Sequence, residues 1–369
     1  MVAGFLLGKH MAHITEVSVA DMTASIVSDA LPENGEPLAD DIVLGIGGAA
    51  RTLLQLTPRR HVNRVWDLGC GSGVQAVFAA KHANHVIATD IDQRAIDFTN
   101  QTAQLNNVEI ETRLGSLFEP VQGEKFDLII SNPPFVIGGA THLTHRESPF
   151  AADALTETLL RELPNFLNDD GIAVVLATWL VTSDDWQERI SEWLPDDVGV
   201  WVALRDLQDV DSYVATWMND AGIDDEAIAS QWKQKLAEWN ANEVAFGWIV
   251  LHHVSDFAMM EDVRHAPALP SGQQVLTQLH RSEQSAKLSA ADLLTVPFQQ
   301  APGDTWRGDI GLDPVLAAIH QGLDGRTLLG DIVANVASKM GFDEDDVLVL
   351  SLVGLKRLVA LGLAFPAHG

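Results

Sequence analysis

A single cysteine, Cys70, stands among 369 residues, so no internal disulfide can form and one thiol cannot build a cysteine-based zinc site. That cysteine usage suits a reducing compartment, and the cytoplasm is the expected location. Positive charge is the second shortage. Against 51 Asp and Glu there are only 23 Lys and Arg, a formal charge of −28, which repels phosphate backbones at long range and argues against broad, non-specific nucleic-acid affinity. The excess runs through both halves, with 11 basic against 22 acidic residues in 1–180 and 12 against 29 in 181–369. A local basic patch stays open: Arg59, Arg60, His61 and Arg64 form one cluster, read either as a solvated loop or as such a patch. Long apolar runs are missing as well. Residues 2–7 are too short for a secretory core, and residues 347–365 are interrupted by Lys356 and Arg357, so a buried helix pair is expected there and no membrane span. The 13 histidines include the pair His252-His253, but neighbours on a strand face opposite ways, and no metal site is expected.

What is present is a rhythm. At 47% hydrophobic and 20% charged, the chain is long enough for one large core and a smaller satellite. From residue 64 a short β-branched or apolar run is followed repeatedly by a helical segment, the pattern of strands and helices alternating around a parallel sheet. Strands are expected at 64–69, 85–91, 109–115, 126–131, 171–180, 199–207 and 243–254. Helices are expected at 73–83, 93–106 and 151–168, the last stopped by Asn168-Asp169-Asp170-Gly171. Residues 209–242 read as a helical insertion whose Trp217, Trp232 and Trp239 suit packing more than ligand contact. Pro267, Pro270, Gly272, Pro297, Pro302 and Gly303 then mark 257–310 as a linker, followed by helices at 313–322, 327–340 and 345–361. The expected organisation is an N-terminal extension (1–40), an α/β domain (41–256), the linker (257–310) and a small helical module (311–369), of winged-helix type in one reading.

Two segments carry chemistry. In Val65-Trp66-Asp67-Leu68-Gly69-Cys70-Gly71-Ser72-Gly73 the glycines fall at a strand-to-helix turn, where lack of a Cβ allows a tight bend and close approach of a ligand. The dinucleotide pattern G-x-G-x-x-G needs a glycine at position 74, which is Val74, so a nicotinamide cofactor is disfavoured. The second strand ends in Thr89-Asp90-Ile91-Asp92, placing a carboxylate beside that loop. Asp90 is suited to accept both hydroxyls of a ribose, whereas Asp92 fits a helix cap. Gly115-Ser116-Leu117 falls where an adenine would sit, a softer assignment.

The second segment, Phe126-Asp127-Leu128-Ile129-Ile130-Ser131-Asn132-Pro133-Pro134-Phe135, is a buried strand running into a rigid turn at the same sheet edge. Consecutive prolines fix φ and offer no N–H, leaving their carbonyls and the Asn132 side chain to face a ligand. A planar –NH₂ group could donate to the Asn132 oxygen and the Pro133 carbonyl while Phe135 stacks on its plane. His142, His145 and Arg146 follow, read either as acceptor contacts or as a polar loop.

The order DLGCGSG, TDID, FDLIISNPPF over about residues 40–255 resembles the HemK/PrmC-type glutamine methyltransferases and their N-methylating relatives, including guanine and adenine methyltransferases of RNA and DNA. More narrowly, Val43–Ala49 with Gly115–Pro120 looks like actinobacterial PrmC-like proteins. The resemblance implies a class I, Rossmann-like fold with a seven-stranded, mostly parallel sheet. It implies S-adenosylmethionine (SAM) as cofactor and S-adenosylhomocysteine as product. Gly69, Gly71 and Gly73 would contact the cofactor's methionine part, Asp90 its ribose and Ile91 and Leu117 its adenine faces, with Asp67, Cys70, Ser116 and Asn132 also counted as cofactor-binding, while Asn132, Pro133, Pro134 and Phe135 would hold the target nitrogen. Two positions depart from the pattern: Gly45–Ala49 replaces the arginine/proline-glutamate-threonine segment of release-factor enzymes, and Ser116 stands where aspartate is common. The N-terminal helical region of those relatives is reduced here to about 40 residues. The acceptor expected is a protein glutamine, on a translation factor or ribosomal protein, in preference to nucleic acid. An exocyclic base amine in rRNA, tRNA or DNA is the alternative.

Overall fold

The computed structural model describes residues 5–7, 10–30, 42–138, 150–253 and 257–367, with side chains from residue 12. It divides into two compact units, one of residues 1–253 and 260–264, the other of 254–259 and 265–369.

The first unit opens with three antiparallel strands, β1 (Phe5–Leu7), β2 (His10–Val19) and β3 (Met22–Asp29). This corrects the helical N-terminus implied by the resemblance. The run Ile14-Thr15-Glu16-Val17-Ser18-Val19 is β-branched with polar residues interleaved, a period-two pattern that suits one covered and one wet face. The covered side chains Val17, Ala24 and Ile26 pack against Val74, Val77 and Phe78. Asp29, buried, forms an ion pair with Arg94 and accepts the N–H of Val43 at 2.9 Å, so the pair joins three segments of chain.

Next come α1 (Gly48–Leu56), β4 (Val62–Leu68), α2 (Val74–Ala79), β5 (Ala83–Asp90), α3 (Gln93–Leu105), β6 (Glu111–Leu114), β7 (Phe126–Ser131), α4 (Ala154–Glu162), β8 (Leu167–Val181), α5 (Trp186–Ser191), β9 (Gly199–Asp209), α6 (Val210–Asp220), α7 (Glu226–Glu238), β10 (Glu243–His252) and β11 (Ala258–Asp262). One sheet holds eight of the strands in the order β11-β9-β10-β8-β7-β4-β5-β6. Strands β8, β7, β4, β5 and β6 run parallel, and β10 is antiparallel to both β8 and β9. The chain therefore has the class I α/β architecture expected, with one strand more than the seven anticipated. The extra strand, β11, lies in the stretch read as linker. It shields the outer edge of β9, where Trp201 Nε1 donates to Glu261 at 2.9 Å and Val263 N–H to the Leu204 carbonyl at 2.9 Å. Trp66, Ile129, Val175 and Trp179 lie in the main core, consistent with the unbroken apolar runs of strands covered on both faces.

Two further expectations shift. Residues 168–171 do not end a helix; β8 already begins at Leu167, and its register against β7 slips between Phe126 and Leu128. Gly171 sits in that irregularity because a Cβ there would lie 2.8 Å from the carbonyls of Asn168 and Phe126. Residues 209–242 form the two helices α6 and α7, whose buried Tyr213, Trp232 and Leu236 pack on Val136 and Ile137.

The second unit corrects the linker more fully. Ser271 and Gln274 form a reciprocal capping box that starts α8 (Gly272–Lys287), and Ser289 with Asp292 starts α9 (Ala290–Thr295). Pro267, Pro270 and Pro297 punctuate these elements without dissolving the segment. Strand β12 (Phe298–Gln300), helices α10 (Pro314–Gly322), α11 (Leu329–Met340) and α12 (Glu344–Ala360), and β13 (Ala364–Pro366) complete it, with β12 and β13 paired antiparallel. Phe298, Ile319, Val333, Leu355 and Leu358 lie in its core.

Gly247 in β10 has no room for a side chain, since a Cβ would stand 1.9 Å from the Ala203 carbonyl oxygen at the β9–β10 register shift. Gly247→Ala is expected to cost about 1–3 kcal/mol or more, read as a lower urea midpoint at unchanged m-value.

Candidate active site

Strands β4, β5 and β7 lie side by side and parallel, so their carboxyl ends open on one edge, where ligands of open α/β sheets bind. Between β4 and α2 the chain turns through Gly69, Gly71 and Gly73, with φ of 74°, 52° and 76°, a region costly for residues with a Cβ. The three do different work. Beside Gly69 and Gly71 the Cβ position meets nothing within 4 Å, whereas at Gly73 it would lie 3.0 Å from the Cα of Thr99. Thr89 O accepts the N–H groups of Gly69 at 2.9 Å and Cys70 at 3.0 Å, holding the turn against β5.

Asp67 stands behind this turn. Its Oδ2 accepts the N–H of Ala76 at 2.9 Å, and burial pushes its carboxyl up to about 7 against the pull of that hydrogen bond. Cys70 is buried too, with Thr99 Oγ1 3.3 Å from its sulfur, and burial pushes its thiol well up, so it is no thiolate nucleophile.

Asp90 closes β5. Its Oδ2 accepts the N–H of Gly71 at 2.9 Å and its Oδ1 that of Asp92 at 3.0 Å, leaving each oxygen a further lone pair. Burial raises its pKa while the N–H groups of Asp92, Gly71 and Ile91 lower it. Asp92 caps α3, accepting from Arg94 N–H at 2.9 Å. Ile91 projects beside it, 72% exposed despite its apolar side chain. Leu117 adopts φ of 45°, an uncommon left-handed conformation for a leucine.

After β7 the Ser131 hydroxyl donates to Leu68 O at 2.9 Å, tying the two central strands where Asn132 begins. Asn132 Oδ1 is buried and has no hydrogen-bond partner among the described residues. A buried acceptor left unpaired costs about 1–3 kcal/mol, which a donor from a ligand recovers.

These residues share one cavity of about 1480 Å³. A single small-molecule pocket spans roughly 300–1,000 Å³, so there is room for a cofactor with a second reactant. Gly69, Cys70, Gly71, Asp90, Ile91, Ser116, Leu117, Asn132, Pro133, Pro134 and Phe135 line it, whereas Asp67 and Gly73 do not: both support the loop from behind. Of the parts of the wall that sequence reasoning missed, two adjoin the glycine turn and the motif. One is Gln75, whose Nε2 donates to Ala50 O at 3.0 Å while its Oε1 is unpartnered. The other is the α6 face with Thr216, Trp217, Asn219 and Asp220. The packing expected of all three tryptophans holds for Trp232, whose indole donates to Ile137 O at 2.8 Å, but Trp217 also lines the cavity.

His142, His145 and Arg146 lie outside the described residues. The basic cluster is engaged structurally and is absent from the cavity wall: Arg59 donates to Leu54 O at 2.8 Å, Arg60 to Asp170 O at 2.6 Å, and Arg64 pairs with Glu124. Among the described residues no group of three His, Cys, Asp or Glu could hold a metal ion, and no helix is long and apolar enough to cross a membrane.

Residues 45–180, which carry the glycine turn, Asp90 and Asn132–Phe135, match the family described as Methyltransferase small domain. Over that segment the chain is similar to this family. Ribosomal protein L11 methyltransferase of Thermosipho melanesiensis is 35% identical over 127 residues, 34% of this chain and 42% of that protein. Ribosomal RNA small subunit methyltransferase C of Escherichia coli is 36% identical over 132 residues, 35% of each chain. The match thus spans about two fifths or less of these relatives.

The domain's buried Asp67 has a stability signature. With a folded pKa of about 7 against 3.8, the native state holds a proton that the unfolded state has lost between those values, so stability falls as pH rises from about 4 to 7. Asp90, also raised, adds to the same slope. Asp67→Asn cannot lose that proton, and its urea midpoints at pH 4.5 and 7 are expected to differ less than those of the parent. An unchanged difference would remove Asp67 as the cause.

Proposed function

We propose that the chain is a SAM-dependent N-methyltransferase whose acceptor is a planar amide or amine nitrogen. The observation that carries this reading is the unpartnered, buried Asn132 Oδ1 on the wall of the cavity that the glycine turn and Asp90 also line.

The residues fit the cofactor. Gly69 and Gly71 leave open space where side chains would stand, Asp90 keeps lone pairs for two ribose hydroxyls, and Ile91 and Leu117 offer apolar surface for an adenine. When bound, SAM supplies a methyl group already activated by a sulfonium. What remains for the protein is positioning and exclusion of water. Asn132 Oδ1 and the Pro133 carbonyl accept the two hydrogens of the acceptor –NH₂ group, which orients its nitrogen, and Phe135 lies against the plane. Both prolines lack an N–H, so no backbone donor competes at those positions. A general base is not required before transfer, because the nitrogen becomes acidic as it gains positive charge.

A ribosomal component is the acceptor class supported from outside the chain: one relative is named for ribosomal protein L11 and the other for small-subunit RNA. A glutamine side-chain amide, as in the HemK/PrmC group, and an exocyclic base amine both present the planar –NH₂ that Asn132 requires. The expected setting is the cytoplasm.

Methyl-labelled SAM incubated with the chain and cell extract, followed separately by protease or nuclease, identifies the acceptor by which treatment releases the label. Asn132→Ala is expected to lower transfer by about a hundredfold or more with SAM affinity nearly unchanged, and undiminished turnover would sink the site. Asp90→Ala should instead weaken SAM binding by roughly 10- to 150-fold in calorimetric titration, the worth of hydrogen bonds to a charged group.

A further inference from the structure

The α6 wall of the cavity is aromatic where it meets the motif. Phe135 and Trp217 stand 5.5 Å apart with planes inclined at 60°, and both line the cavity. Trp217 is held from behind by Tyr213 and Phe246, each with its ring centre 6.3 Å away. Tyr213 in turn fixes α6 to the segment after the motif, its hydroxyl accepting the N–H of Ile137 at 2.7 Å. The inclination of the two contacting rings is thus set by packing and by a buried hydrogen bond. The Trp217 indole N–H, like Asn132 Oδ1, is buried without a partner among the described residues. One is a donor only and the other an acceptor, on residues that line the same cavity.

We propose that Phe135 and Trp217 form an aromatic corner for an amino-bearing heteroaromatic ring, so that the acceptor is the exocyclic amine of a nucleobase, with Trp217 the residue that selects it. This rests on the planar-nitrogen reading above. A glutamine amide could satisfy Asn132, and its carbonyl the indole N–H, but an aliphatic side chain has no ring to lay against two aromatic planes. A base has that surface, and stacking on aromatic side chains is how single, unstacked bases are held. In adenine, cytosine and guanine a ring nitrogen that accepts hydrogen bonds adjoins the amine, matching the Asn132 acceptor with the Trp217 donor.

The test uses the full chain, methyl-labelled SAM and two acceptor pools: unmodified ribosomal and transfer RNA transcripts with denatured DNA, and a set of glutamine-containing peptides. Label is expected in the nucleic acid, recovered as an N-methylated base after digestion. Trp217→Leu should raise the KM for that pool by about 10- to 100-fold with kcat little changed and SAM affinity within twofold, and Trp217→Phe should restore most of the loss. Label confined to the peptides, label in neither pool, or a Trp217→Leu enzyme with parental KM overturns the inference. Transfer that survives Asn132→Ala brings down the planar-nitrogen reading itself. Transfer abolished by Asn132→Ala but indifferent to Trp217→Leu overturns only the aromatic corner.

Discussion

Asp67, buried at the end of β4, accepts the Ala76 amide at 2.9 Å across the turn into α2, and the rest of the site is built outward from that hydrogen bond. It holds the start of α2 against the strand, so the five residues between them must bend back through three left-handed glycines. The bend presents Gly71 N–H to Asp90 and leaves open space beside Gly69 and Gly71. A carboxylate kept out of water is costly, and its raised pKa records that cost. The return is a loop whose backbone faces the cavity instead of the core.

The opposite side of the cavity is organised on different terms. Asn132–Phe135 leave the central sheet from β7, while Trp217 arrives on α6 from about eighty positions later. Ile137 joins them: its N–H donates to Tyr213 Oη and its carbonyl accepts from the Trp232 indole. Backbone groups just past the Asn-Pro-Pro-Phe segment are thus satisfied by side chains of the helical insertion, which locks the insertion to that segment. The N-terminal strands do similar work on another wall, where buried Asp29 pairs with Arg94 and accepts from Val43.

Much of this was legible in the chain. The three glycines announced a turn needing positive φ, Asp92 announced a cap, and two prolines after a buried strand announced a rigid polar edge, because each is a local property of backbone geometry. The N-terminal strands were misjudged through a resemblance, although Ile14–Val19 alternates with a strand's period. The linker was misjudged because Pro and Gly were counted without weighing the capping pairs Ser271/Gln274 and Ser289/Asp292 lying among them.

By itself, the sequence determined the strand-to-helix turn, the carboxylate one strand away and the Asn-Pro-Pro-Phe edge, all of them consequences of dihedral preference and hydrogen-bonding capacity within a few residues. The tertiary structure alone decided that Asp67 and Gly73 support the loop from behind while Gln75 and Trp217 reach the cavity. It also decided that Asn132 Oδ1 is left without a partner among the described residues. The physical reason is that such facts depend on which distant segments pack against one another: a tryptophan on a helix has the same local signature whether its ring meets the core or a ligand, and only the fold sets which.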